Sequence, residues 1–339
     1  MSQPSYDLRP FAAWVLDEYL PSLKCGPGPA DYARRPGVQE PALYGVADAA
    51  CILYTFGSLD TSPPEWLELL SSYQDPASGF FVAPASVLTT AHNTGFAVGA
   101  LNLFQSELRN GELPKAPLRF GAMVAAPPEA ERFCGMLDWR RNCYEAGEIL
   151  IGHASTFFNV EGVVPESWFS WLVEFVEGTK LDSVNGMVGV GKPPGGDGDQ
   201  IGGTLHFDFF WQALGRRLPH PTERAEAILG LQQPTGLWDE NNPWWLTFDS
   251  CYMLGRTIPE VSGDLAERVR GAVARAVDVL APRALDGAAR SGDFVEPWIG
   301  AHMLTGAVSF FAYAQQVLGP ECIVTDRPLE FVLDRRPYI

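Results

Sequence analysis

Residues Gln232 to Gly255 read QQPTGLWDENNPWWLTFDSCYMLG, and the order of residue types along them decides the fold. Pro234 stops the helix before it, and Gly236 permits the positive φ that a chain reversal needs. Trp238, Trp244 and Trp245 surround Asp239 and Glu240, and the apolar run from Trp244 to Leu254 carries Asp249 and Cys251. An outer helix, a glycine turn, an acidic aromatic loop and a helix that must be buried follow one another. Polar groups inside so apolar a run need partners or a task.

The same order recurs on both sides. YQDPASGFF at 73–81 and KLDSVNGMV at 180–188 are turns of the kind seen in LQQPTGLWD at 231–239, each with a glycine three to five residues after Gln or Asp. Few segments alternate with period two, and the long apolar runs have helical spacing. Amphipathic segments alternate with segments apolar nearly all round, and the second kind belongs inside. Outer and inner helices therefore pair as 10–23 with 41–56, 64–73 with 88–104, 128–137 with 144–158, 165–176 with 200–214, 221–231 with 244–254, and 264–280 with 297–317. A helical hairpin repeated at roughly fifty residues suits a closed ring of six hairpins.

The chain has 339 residues, 46% of them hydrophobic, enough for a large core, and 1–339 is read as one domain. A net charge of −17 argues against nucleic acid or an anionic membrane as partner, since both reward clustered Lys and Arg. The six cysteines are scattered and read as reduced thiols, Cys134 and Cys143 among them as structural residues. MSQPSYDLRPF shows no secretory signal, and no apolar run is long enough to span a membrane. The expectation is a cytoplasmic protein.

The alternation of helices resembles an (α/α)6 toroid, the all-α architecture of terpenoid cyclases, protein prenyltransferase β subunits and many carbohydrate-active enzymes. RAEAILGLQQPTGLW at 224–238 is similar to the glutamine-tryptophan repeat of triterpene cyclases. FDSCYML, with Asp249 and Cys251, resembles the Asp-x-Cys-Tyr motif of prenyltransferase β subunits. That likeness implies zinc held by Asp249, Cys251 and His302, with one open position. The chain lacks the Asp-x-Asp-Asp proton donor of triterpene cyclases, so another acid has to serve.

In such a toroid the loops entering the inner helices build the pocket, and helix N-termini there offer N–H groups and positive dipole ends. The residues placed there are Tyr44, Asp48, His92, Asn93, Asp199, Gln200, His206, Asp208, Asp239, Glu240, Asp249, Glu296 and His302. Asp48 and Asp249 sit in apolar surroundings that raise a carboxyl pKa and suit a proton donor, with His92 as proton partner. Trp244, Trp245 and Trp298 would form cation-stabilising walls. Asp199 reads as the cap of its helix, beside a glycine segment whose Asp197 and Asp199 could also offer oxygen ligands to Mg²⁺ or Ca²⁺. That segment is no phosphate loop, because Lys192 is followed by Pro193.

The first functional reading is an enzyme that binds a small, apolar, terpenoid-like substrate and cyclises or isomerises it by acid initiation. No cofactor is required, although zinc fits the Asp249 motif. The second is a carbohydrate-active hydrolase, lyase or epimerase, because LWDENNPWW puts Asp239 and Glu240 beside a tryptophan pair. The third is a non-catalytic binding toroid with an acidic rim. The oligomeric state is not encoded in any pattern found.

Overall fold

The computed structural model describes residues 5–83, 88–104, 127–160, 164–189, 197–296, 300–335 and 338. Trp298, with the start of the helix expected from 297, lies outside them, as do residues 190–196 of the glycine segment and the side chain of Asp197. The described chain is mostly helical, and no helix among these residues is long and apolar enough to cross a membrane.

The helices are α1 (Arg9–Trp14), α2 (Leu20–Ser22), α3 (Leu43–Thr55), α4 (Glu65–Ser72), α5 (Thr90–Phe104), α6 (Pro127–Met136), α7 (Cys143–Asn159) and α8 (Glu166–Thr179). They continue as α9 (Asp197–Ala213), α10 (Pro221–Leu231), α11 (Trp245–Thr257), α12 (Gly263–Leu285), α13 (Gly287–Arg290), α14 (Ala301–Leu318) and α15 (Val332–Arg335). Each expected outer and inner segment has its helix. The first is interrupted, because a π turn at Val15–Tyr19 separates α1 from α2. Helix α12 runs past Pro282 to Leu285, and Asp286 N–H donates to the Pro282 carbonyl at 2.9 Å.

Burial follows the alternation. In α12 the buried residues Leu265, Val269, Ala272, Ala276 and Leu280 form one stripe, while Glu267, Arg268 and Gly271 face away from it. In α5 every residue from Ala91 to Leu103 is buried. Helices α3, α7, α9, α11 and α14 are buried nearly all round, so the sequence distinction between two kinds of segment is a distinction between two environments.

The glycine turns have the expected conformation: φ is 80° at Gly79, 65° at Gly186 and 97° at Gly236. Two of them are tied to the following inner helix in the same way. Phe81 N–H donates to Thr94 Oγ1 at 3.0 Å and Val188 N–H to Thr204 Oγ1 at 2.8 Å, and each threonine hydroxyl donates to the carbonyl four residues back. In the third turn Trp238 closes the end of α10, its Nε1–H donating to the Ile228 carbonyl at 2.8 Å, while Gln232 Nε2–H ties the turn to the Ala272 carbonyl midway along α12 at 2.9 Å. Trp139 Nε1–H closes α6 likewise on the Cys134 carbonyl.

The chain folds into two compact units, one from Met1–Pro63 with Arg224–Val332, the other from Pro64–Glu223 with Leu333–Ile339. In the first, α14 packs against α3, α11 and α12, and a short parallel pair joins β1 (Tyr6–Asp7) to β4 (Ile323–Val324). In the second, α7 lies between α5 and α9, and β2 (Leu181–Asp182) with β3 (Met187–Val188) forms an antiparallel hairpin. Backbones come very close here: a Cβ on Gly147 would meet the Gly203 carbonyl oxygen at 2.5 Å, and one on Gly152 the Ala91 oxygen at 2.6 Å.

The second unit also encloses His153 among Phe80, Phe133 and Phe157, with ring centroids 5.5–6.2 Å away. Burial pulls its pKa down to about 4 from 6.5, and the same cause lowers His206 to about 4. The folded chain then binds fewer protons than the unfolded chain, so the stability present above pH ~6.5 is lost as pH falls toward the folded pKa. The denaturation midpoint is expected to fall from pH 7 to pH 4.5, and less steeply in His153→Phe. Equal falls in both proteins would remove His153 as a cause.

Candidate active site

Two acids picked out by their apolar surroundings lie in the first unit. Asp48, fully buried on α3, takes two hydrogen bonds at one oxygen. His302 Nδ1–H donates to Oδ1 at 2.9 Å and the Thr305 hydroxyl donates to it at 2.8 Å. Helix spacing arranges this, since His302 and Thr305 are three apart and share a face of α14. The contact holds the imidazole with its proton on Nδ1, which makes Nε2 the basic nitrogen. Asp48 Oδ2 has no hydrogen-bond partner among the described residues.

Aromatic rings hold the imidazole from two directions. Tyr44, one turn before Asp48, meets it edge-on with centroids 5.1 Å apart, and Trp245 tilts over it at 4.6 Å. Gly306 makes room for Trp245, because a Cβ there would lie 2.8 Å from the indole ring. Tyr44 and Asp48 are buried, whereas Trp245 and His302 are partly exposed, so the pair has an open side.

Asp249 stands on the face of α11 that carries Trp245 and Tyr252, at spacings of four and three residues. Trp245 touches His302, and Tyr252 packs against Tyr313 at 5.0 Å, so this face is turned to α14. Asp249 is buried, its Oδ1 has no partner among the described residues, and burial raises its pKa well above 3.8. It is an acid that keeps its proton where ordinary carboxyls have lost theirs.

Tyr19, at the end of the π turn, adds a buried phenol. Its pKa is raised by burial and then by the charge of Asp48, and its hydroxyl has no partner among the described residues.

The other expected residues lie elsewhere. Trp244 is core: its Nε1–H donates to Asp293 Oδ2 at 3.1 Å, its ring packs on Phe294 and Phe311, and Asp293 also binds Arg283. Consecutive helical positions point about 100° apart, which separates Trp244 from Trp245. Asp239 is turned back to accept from Asn241 N–H at 2.8 Å, and Glu240 is exposed on the same loop.

Cys251, two residues from Asp249, is buried, and burial raises its thiol pKa. Among the described residues no three His, Cys, Asp or Glu stand where they could hold a metal ion, so Asp249, Cys251 and His302 are not brought together as a ligand set.

Glu296 ends the π turn Ser291–Val295 in the first unit, and the other expected residues among those described belong to the second. Asp199 lies inside the first turn of α9 rather than at its cap, because the helix begins at Asp197, and its carbonyl accepts from Cys143 Sγ–H. His206 Nδ1 bonds to the Gly202 carbonyl at 2.7 Å. His92 packs edge-on to Tyr338 at 5.1 Å, while the imidazole that Asp48 holds is His302. Glu148, buried on α7, accepts from Thr89 N–H at 3.0 Å and from its hydroxyl at 2.6 Å. It went unremarked in the sequence, although a carboxyl inside the apolar run EAGEILIGHA is the signal that marked Asp48 and Asp249.

Compared with protein-family models, curated proteins and solved structures, the chain has no match.

Proposed function

We propose that the chain is an enzyme that moves protons on a small, largely apolar, terpenoid-like molecule, an acid-initiated isomerase or cyclase working in the cytoplasm. The observation that carries this reading is Asp249, a buried carboxyl on the helix face shared with Trp245, whose pKa burial raises. Its O–H proton passes to an alkene carbon, leaving a carboxylate and a carbocation. His302 Nε2 then takes a proton from the adjacent carbon, restoring a double bond, and the imidazolium so formed is stabilised by Asp48. The faces of Trp245 and Tyr44 favour positive charge. The base in this scheme is His302 rather than His92.

We further read the paired helices as an (α/α)6 ring in the manner of terpenoid cyclases. Packing of α14 on α3, the last inner helix on the first, supports it, because closure requires that contact.

The test is to incubate the protein in D₂O with squalene, farnesol and geranylgeraniol and to follow the products by mass spectrometry. Deuterated, rearranged product from the wild type and none from Asp249→Asn is the expected result. Release of sugars from an oligosaccharide panel, with no deuterium in the isoprenoids, would replace this reading by the carbohydrate one.

A further inference from the structure

In the second unit, Tyr338 is 1% exposed, and its ring is enclosed by chemistry rather than by hydrocarbon alone. His92 meets it edge-on at 5.1 Å, His206 tilts against it at 5.7 Å, and Phe209 closes the remaining edge at 6.3 Å. Its hydroxyl is directed at the Glu148 carbonyl at 3.5 Å. Helix α5 forms the seat with a glycine, since a Cβ on Gly95 would lie 3.2 Å from the ring. Two imidazoles facing one ring and a main-chain carbonyl facing its hydroxyl are more polar company than a core anchor needs.

The backbone of Tyr338 adds a second observation. Its φ is +118°, in the region that residues with a Cβ avoid. Such a conformation is unfavourable for a side-chain-bearing residue and persists only where the surroundings impose it. The ring is therefore held in place against the preference of its own main chain, and a free ring of the same shape would enter the seat without that strain.

We propose that the unit formed by Pro64–Glu223 and Leu333–Ile339 contains a binding pocket for a phenolic ring, distinct in its residues from the Asp48 and His302 pair, and that Tyr338 fills it until such a ligand displaces it. The ligand class follows from the walls: a flat ring for His92 and His206, small enough to sit on Gly95, with one hydroxyl directed at the Glu148 carbonyl.

The probe is p-cresol, which reproduces the tyrosine side chain. In the full chain labelled with 3-fluorotyrosine, the Tyr338 fluorine signal is assigned by its loss in Tyr338→Phe. Saturating p-cresol is expected to move that signal from a buried to a solvent-exposed shift, and calorimetry is expected to show p-cresol binding Tyr338→Ala at least tenfold more tightly than the wild type. A Tyr338 signal that stays in place at the highest soluble p-cresol concentration overturns the proposal. So does p-cresol binding to Tyr338→Ala no tighter than to Trp168→Ala, a control cavity elsewhere in the same unit. Should Tyr338→Ala fail to fold, the wild-type fluorine measurement decides alone.

Discussion

Asp249→Asn is expected to lower turnover by roughly 100- to 10,000-fold, the range lost when a positioned general acid is removed, while the chain stays folded. The side chains are nearly isosteric and Asn fills the same volume on α11, so packing is kept and the transferable proton is lost. Stability supplies a readout that needs no substrate. Burial raises the Asp249 pKa, so the folded chain keeps a proton that the unfolded chain releases above pH ~3.9. This group's contribution is complete below that pH and declines by about 1.4 kcal/mol per pH unit as pH rises toward its folded pKa. The Asn variant lacks that decline, so the difference in denaturation free energy between the two proteins should change with pH from 4 upward in the variant's favour. Parallel curves would show that Asp249 is ionised when folded and would remove the proposed acid.

The second large effect concerns folding alone. Gly147→Val is expected to destabilise the chain by more than about 3 kcal/mol, beyond the usual range for overpacking. The obstacle is main chain: the new Cβ would lie 2.5 Å from the Gly203 carbonyl oxygen and 3.0 Å from its Cα, and neither can rotate away. Helix propensity acts in the opposite direction, but by less than about 1 kcal/mol. Gly178→Ala in α8 is the control, since nothing lies within 4 Å of a Cβ there, and it should be neutral or slightly stabilising. Equal denaturation midpoints for Gly147→Val and the wild type would mean that α7 and α9 shift apart freely.

Local physics made most of the helices legible. Leu265, Val269, Ala272, Ala276 and Leu280 repeat at helical spacing, and the glycines at 79, 186 and 236 stand where a reversal must follow a helix. The π turn ending at Tyr19 left no such mark, because its extra residue per turn reflects packing rather than composition. Asp48 and Asp249 were recognisable because a carboxyl is expensive in an apolar helix. That His302 is the partner of Asp48 was not, since 254 residues separate them and no local pattern encodes such a distance. The Trp244 and Trp245 pair looked like one aromatic wall, whereas the helix directs one ring to the core and the other to His302.

That separation of 254 residues also sets a schedule for synthesis. At about 5–20 residues per second, α3 leaves the ribosome roughly 13–50 s before the residues of α14 that will cover Asp48. Throughout that interval a helix apolar nearly all round lacks its main neighbour, and the carboxyl within it lacks both of its donors. Exposed apolar surface of this kind favours aggregation for as long as it lasts, and a product cut short before α14 leaves Asp48 without His302 and Thr305.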